Sequence, residues 1–161
     1  MCNKRGFEPI FDCESEVLIL GSFPSRMSFA EGFYYANPRN RFWKMLQDFF
    51  KVKLVSIEAK KNFLLKQHIA LWDIVCLGSN TQGGREGSMD KNLLAVEISD
   101  IVALLNVTKI KKILCNGKKA YALFCKSYPH LQDRAKCLSS TSPANVRFDS
   151  VQWKRELLQI Q

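Results

Sequence analysis

Four short apolar runs, each separated from the next by stretches of helical spacing, restrict the architectures open to this chain more than any other feature. "EVLILGS" (16–22) is rich in aliphatic residues and stops at a glycine and a serine. "IALWDIVCL" (69–77), "KIKKILCNG" (109–117) and "AKCLSS" (135–140) repeat the theme. Apolar residues at successive positions belong to strands buried on both faces, as in a parallel sheet. Between them, "NRFWKMLQDFF" (40–50) sets Phe42, Met45, Leu46, Phe49 and Phe50 at helical spacing. "SIEAKKNFLLKQH" (56–68) opens on Ser56, a good N-cap residue, and "SDIVALLNV" (99–107) is expected to be a helix capped by Ser99. "KKAYALFCKSY" (118–128) and "VQWKRELLQI" (151–160) complete the helices. Strands separated by helices of this length imply an α/β fold with a mainly parallel sheet covered on both faces. At 161 residues the chain is expected to form one domain, 1–161, with a sizeable core.

In such sheets the ligand crevice lies beyond the carboxyl ends of the strands. The segments that follow the four runs are "GSFPS" (21–25), "GSNTQGGREGSMD" (78–90), "NGKKA" (116–120) and "STSPANVRF" (140–148). They hold most of the unusual polar and turn-forming residues, and the rule brings them to one edge. Asp90 in the second of them reads as the N-cap of a short helix.

Charge gives that edge a partner. Lys and Arg number 24 against 15 Asp and Glu, a net charge of +9. Such an excess suits a polyanion, although a merely basic, solvated surface has the same composition. Placement favours the polyanion. Lys118 and Lys119 stand at the first turn of a helix, where cations oppose the helix dipole but a bound phosphate would be favoured. Arg39, Arg41 and Arg85 fall on the same expected edge, whereas Lys60, Lys61 and Lys66 read as a solvated helix face.

The six cysteines show no CxxC spacing and no histidine at finger-like distance, so they read as reduced structural thiols, with no metal and no cofactor expected. His68 and His130 are isolated. No window is long and apolar enough to span a membrane, and "MCNKRGFEPIFDCESE" lacks a signal-peptide core, so an intracellular, cytoplasmic location is expected.

"GSFPS", then "YYANPRNRFW" leading into a helix, "LWDIV", "GSMD", "NGKKA" and a late "TSPAN" occur in the order found in the uracil-DNA glycosylase superfamily. The chain resembles that family over residues 6–153, and within it the deoxyinosine (hypoxanthine) DNA glycosylase branch. The resemblance implies a three-layer α/β/α sandwich with a central four-stranded parallel sheet. It implies a monofunctional enzyme that flips a deaminated base out of double-stranded DNA and hydrolyses the N-glycosidic bond, leaving an abasic site, without metal or cofactor. Hypoxanthine is the base implied first, and a monomer is expected. A uracil- or mismatch-specific glycosylase, a non-catalytic nucleic-acid binder on the same fold and a hydrolase of free nucleosides are the alternatives.

One departure is plain. Where the best-known uracil enzymes carry a water-activating Asp after the first strand, this chain has Phe23, which can neither position water nor accept a proton. The branch resembled here lacks that polar residue too, and its working Asn lies in the stretch matching "NPRNRFW". Asn40 is therefore the first candidate to hold the attacking water through its amide, and Asn37 the second; turn and cap chemistry explains both equally simply. The expected base pocket is Gly21, Ser22, Phe23, Pro24 and Ser25 with Tyr35 and Asp73. Gly21 allows close backbone approach, Phe23 offers a ring face or packs in the core, and Asp73 hydrogen-bonds a purine ring N–H or caps a loop. Lys118, Lys119, Ser142, Pro143, Ala144, Asn145 and Arg147 are the expected DNA contacts, with Val146 or Arg147 as the side chain that enters the stack.

Overall fold

The computed structural model describes residues 3–80 and 93–160. In chain order its elements are β1 (Asn3–Arg5), β2 (Val17–Gly21), α1 (Arg26–Glu31), α2 (Phe42–Phe50), α3 (Ile57–Lys66), β3 (Ile69–Asp73), β4 (Val75–Asn80), β5 (Leu93–Ile98), α4 (Ile101–Asn106), β6 (Lys112–Asn116), α5 (Lys118–Ser127), a 3-10 turn (Pro129–Arg134), β7 (Ala135–Leu138) and α6 (Ser150–Leu157).

Four strands pair in the order β3-β2-β6-β7, all parallel. Side-chain alternation along β2 builds the layers. Val17 and Ile19 face a core with Phe42 and Leu46 of α2, Leu64 of α3, and Trp153 and Leu157 of α6. Leu18 and Leu20 face the opposite core with Ile101 and Leu104 of α4, and Ala120 and Phe124 of α5. Both faces of the sheet are thus sealed, which is why its strands carry no polar alternation. Phe42 and Phe124 have no exposed surface, and burying each is worth about 1.5–3 kcal/mol. The expected α/β/α sandwich with a four-stranded parallel sheet is what forms.

Two of the expected elements differ from the sequence reading. "IALWDIVCL" is not one strand but two in different sheets, with Ile74 alone between them. At Ile74 the chain leaves β2, and β4 pairs instead with β1 and β5 in a three-stranded antiparallel sheet. Hydrogen bonds from Ile74 N–H to Gly21 O and from Val75 N–H to Ser22 O carry the pairing past the bend. The second difference is at α4, whose N-cap is Asp100, its carboxylate accepting from Ala103 N–H. Ser99 instead donates to Asp73 O at 2.6 Å, which pins the end of β3. The expected Asp90 cap and Arg85 lie outside the described residues.

At the far side Glu156 of α6 accepts from Lys112 at 3.0 Å and Lys136 at 2.7 Å, tying the last helix to β6 and β7. Burial alone would raise its carboxyl, but the hydrogen bonds from Lys136 and Lys112 outweigh that and hold it below its ordinary value. Among the described residues no helix is long and apolar enough to cross a membrane.

Candidate functional site

At the carboxyl edge of the parallel sheet the ends of β2, β3, β6 and β7 open into a cleft of about 870 Å³. Its first wall follows β2. Ser25 caps α1, its Oγ accepting from Ser28 N–H at 3.1 Å, and Ser28 Oγ in turn accepts from Ala36 N–H at 3.3 Å. This pair of serines folds the "YYAN" segment back over the cleft. Gly21, Ser22, Phe23, Pro24 and Ser25 all line it. Phe23, though, is only 4% exposed and packs edge-to-face on Phe29, 5.4 Å between ring centres. It is a core aromatic at the cleft floor.

The floor is unusual chemically. Asp73 ends β3 opposite Gly21 of β2 and is 4% exposed. Its Oδ2 has no hydrogen-bond partner, and neither has the hydroxyl of Tyr35, which is buried beside it. Burial pushes the Asp73 carboxyl up to about 7. Tyr35 is raised well above the ordinary phenol range, first by burial and then by the Asp73 charge, and the Asn116 side chain pulls the other way. A Cβ on Gly21 would collide with Asp73 Oδ1 and stand 2.7 Å from the Tyr35 hydroxyl, so only glycine leaves both groups in place. Tyr35 holds a backbone φ of 52°, the left-handed region that a tyrosine adopts only at a cost. Two buried polar atoms left without partners, one on a strained residue, mark a place shaped for something other than the protein itself.

Asn37 and Asn40 both reach the cleft and both do turn work. Asn37 O accepts from Asn40 N–H at 2.8 Å, and Asn37 Oδ1 accepts from Arg39 N–H at 3.0 Å. Asn40 Oδ1 accepts from Phe42 N–H at 2.9 Å, at the entry of α2. That single bond fixes the amide and leaves one lone pair on Oδ1 and two N–H donors. An amide so anchored can hold a water without taking its proton.

The opposite wall is the segment after β7. Asn116, the last residue of β6, pairs its side chain doubly with Thr141: Nδ2 donates to Thr141 Oγ1 and Oδ1 accepts from Thr141 N–H, each at 2.9 Å. Asn145 Nδ2 donates to Ser140 O at 2.9 Å and Ser139 Oγ at 3.2 Å. Arg41 Nη1 donates to Ser142 O at 3.1 Å and Asn145 O at 2.9 Å, with its guanidinium over the ring of Phe148. Arg41 turns inward as the clamp of this loop. Asn145 lines the cleft, but its amide is spent on the loop's own turns. Ser142, Pro143 and Arg147 line the cleft, whereas Ala144 is exposed outside its lining. Val146 is 87% exposed at the tip.

Lys118 and Lys119 open α5 on the rim of the cleft. Gly117 before them has a φ of 99°, and Ser140 Cβ stands 3.0 Å from where its Cβ would be, so the loop and the helix start pack without room for a side chain. Asn116, Thr141, Ser140, Ser28 and Gln152 line the cleft without having been singled out in sequence. The one available signal was Asn116, a polar residue at the carboxyl end of a buried strand. Among the described residues no three His, Cys, Asp or Glu side chains gather to hold a metal ion. The five described cysteines carry free thiols, and Cys115 is pushed up to about 12 by burial.

Residues 8–159 match the family model for the uracil DNA glycosylase superfamily. The chain is 37% identical over 150 residues to a hypoxanthine DNA glycosylase of Methanosarcina acetivorans, covering 90% of each. It is 34% identical over 149 residues to a hypoxanthine DNA glycosylase of Methanosarcina barkeri, covering 89% of each. The solution NMR structure of a candidate uracil DNA glycosylase from Methanosarcina acetivorans superposes with a TM-score of 0.82 at 33% identity over 99% of both chains.

Proposed function

This chain belongs to the uracil DNA glycosylase superfamily, and from that premise we propose that it is a monofunctional DNA glycosylase excising hypoxanthine from double-stranded DNA. What carries the choice of base is the 37% identity, across 90% of both chains, to a hypoxanthine DNA glycosylase. The cleft supplies the chemistry. The target bond is out of reach inside the helix, so the nucleotide is turned out of the stack into the space above Gly21 and Asp73. Asn40, its carbonyl held by Phe42 N–H, keeps a water against C1′ of the sugar. As the C–N bond lengthens, the sugar gains positive character and the base gains negative charge, and water oxygen forms the new bond to C1′. The leaving base takes up a proton and an abasic site remains. Asn37 supports the turn that carries Asn40.

Around this pocket Lys118, Lys119 and Arg147 hold phosphates, and the segment Ser142–Pro143–Ala144–Asn145 follows the minor groove. The enzyme acts as a monomer and needs no cofactor. A uracil-preferring reading has one observation in its favour, the likeness to the candidate uracil enzyme. Both readings meet one experiment. Duplexes carrying a single hypoxanthine, uracil or xanthine are incubated with chelator present and then treated with alkali to cut abasic sites. Cleavage at hypoxanthine, falling at least about 100-fold in Asn40→Ala, is the expected result. Cleavage at uracil alone replaces the base, and binding without cleavage of any duplex replaces the activity.

A further inference from the structure

Lys60 and Lys61 lie in the first half of α3, and the ammonium groups of both rest on aromatic rings. Lys60 Nζ is 5.2 Å from the ring centre of Trp43 and 6.0 Å from that of Phe33, and Lys61 Nζ is 5.9 Å from Phe33. The two rings are themselves stacked, 5.7 Å between centres and 19° from parallel, and both are buried. We propose that this pair of lysines is a second phosphate site, outside the cleft, that grips the DNA backbone to one side of the flipped nucleotide. This rests on the DNA-binding part of the glycosylase reading and extends it to a surface beyond the lining of the cleft.

Two independent routes place the pair at the edge of the cleft. α3 leads through Gln67 and His68 into β3, whose carboxyl end is at the cleft floor. A helix that feeds a strand through so short a connection runs against it, so the N-terminal half of α3 points to the cleft edge. The second route passes through the aromatic residues. Trp43 Nε1 donates to Tyr34 O at 2.9 Å, Phe33 meets the Tyr34 ring edge-to-face at 5.9 Å, and Tyr34 lines the cleft. The lysines therefore sit on the outer side of the first wall. α3 packs on one face of the parallel sheet and α5 on the other, so the sheet itself separates this pair from Lys118.

What the two cations lack is an anion. Among the described residues the ion pairs are made elsewhere, by Arg5, Lys44, Lys109, Lys112 and Lys136, and neither Lys60 nor Lys61 has a carboxylate within that distance. Glu58, the acidic residue of α3, stands in its first turn, where it complements the helix dipole. Partial burial pushes the Lys60 ammonium down from its ordinary value, a cost that a bound anion removes. The rings hold both ammonium groups in place before the anion arrives, as a preorganised contact requires. Two fixed cations side by side suit a chain of repeated phosphates. With Lys118 beyond one face of the sheet and this pair beyond the other, a duplex that touches both crosses the mouth of the cleft.

The test measures binding rather than cleavage. In an Asn40→Ala background, which keeps the base attached, duplexes with a single hypoxanthine are titrated over a salt series. Changing both residues, Lys60→Gln with Lys61→Gln, should make the fall of log affinity with log salt shallower by about 1.8, at about 0.9 for each phosphate released. Lys60→Arg with Lys61→Arg should keep the full steepness, because the charge is kept. Lys66→Gln removes the same charge from the other end of α3 and should leave the steepness nearly unchanged. Trimming the duplex towards the hypoxanthine from one side should erase the deficit of the double glutamine variant, whereas trimming from the other side leaves it. Unchanged steepness in that variant, or a deficit shared by Lys66→Gln and indifferent to trimming, overturns the site. An effect of Lys118→Gln without one at Lys60 and Lys61 sinks this site alone. If neither change matters and the affinity ignores salt, the DNA reading itself falls. Melting temperatures expose any loss of fold, and Lys61→Gln, at the exposed member of the pair, then carries the test with an expected change of about 0.9.

Discussion

A carboxyl group that is 4% exposed, with one oxygen lacking any donor, costs the folded chain stability whenever it is ionised. Asp73 is that group, and its proton is held up to about pH 7 in the fold but released in the ordinary carboxylate range once unfolded. Between those values the folded state binds more protons than the unfolded one. Stability from this site is therefore fully present at low pH, declines as pH rises and is gone above about 7. Asp73→Asn has no proton to lose. Its melting temperature should exceed the parent's by roughly 4–8 °C near pH 8, and by much less near pH 5. Thermal melts across that range check this, and an equal offset at every pH would locate the cost elsewhere. The sequence marked Asp73 as a pocket candidate at the end of an apolar run, a position that a loop cap explains as well. Its burial depends on Tyr35 and Gly21 closing over it, and neighbours brought from 38 and 52 residues away leave no local mark.

Elements were legible where their pattern was long and lay on one face. β2 and β6 could be read because both of their faces are buried, α2 because its apolar positions recur at helical spacing, and α3 because Ser56 caps it. The second sheet was not, because nothing polar separates β3 from β4, and the change of partner happens at one residue, Ile74. α1 was missed as well: six residues among turn formers show too little periodicity to register. The loop after β7 was legible as small and polar, but not as a clamped structure. Arg41 comes 101 and 104 residues before the carbonyls it holds, and an arginine beside a helix start looks like a phosphate contact. Arg41→Ala strands those two carbonyls and uncovers Phe148, so KM for duplex DNA should rise about tenfold while the melting temperature falls by roughly 2–6 °C. Arg41→Lys should recover only part, since an ammonium could reach both carbonyls as Nη1 does but cannot lie flat on the Phe148 ring. Steady-state kinetics on both variants decides it; full recovery by lysine would reduce the clamp to simple charge.

At the scale of the whole molecule, +9 charges approach a polyanion, and the attraction should carry the signature of released counterions. The logarithm of the association constant for duplex DNA should fall linearly with the logarithm of salt concentration. Lys118→Gln should lower that slope by about 0.9, without changing the hydrophobic core beneath α5. Binding titrations over a salt series test it, and a flat line would return the free-nucleoside reading. The cleft wall after β7 comes ready-made: Asn116 holds Thr141, Asn145 holds Ser139 and Ser140, and Arg41 holds the turn between them. A search along a genome is a matter of dwell times. A probe that never has to rearrange spends none of its brief visit to each base pair on its own settling. The waiting is then done by the helix alone, and the pairs most prone to fall open, the mismatched ones, are those it meets already open.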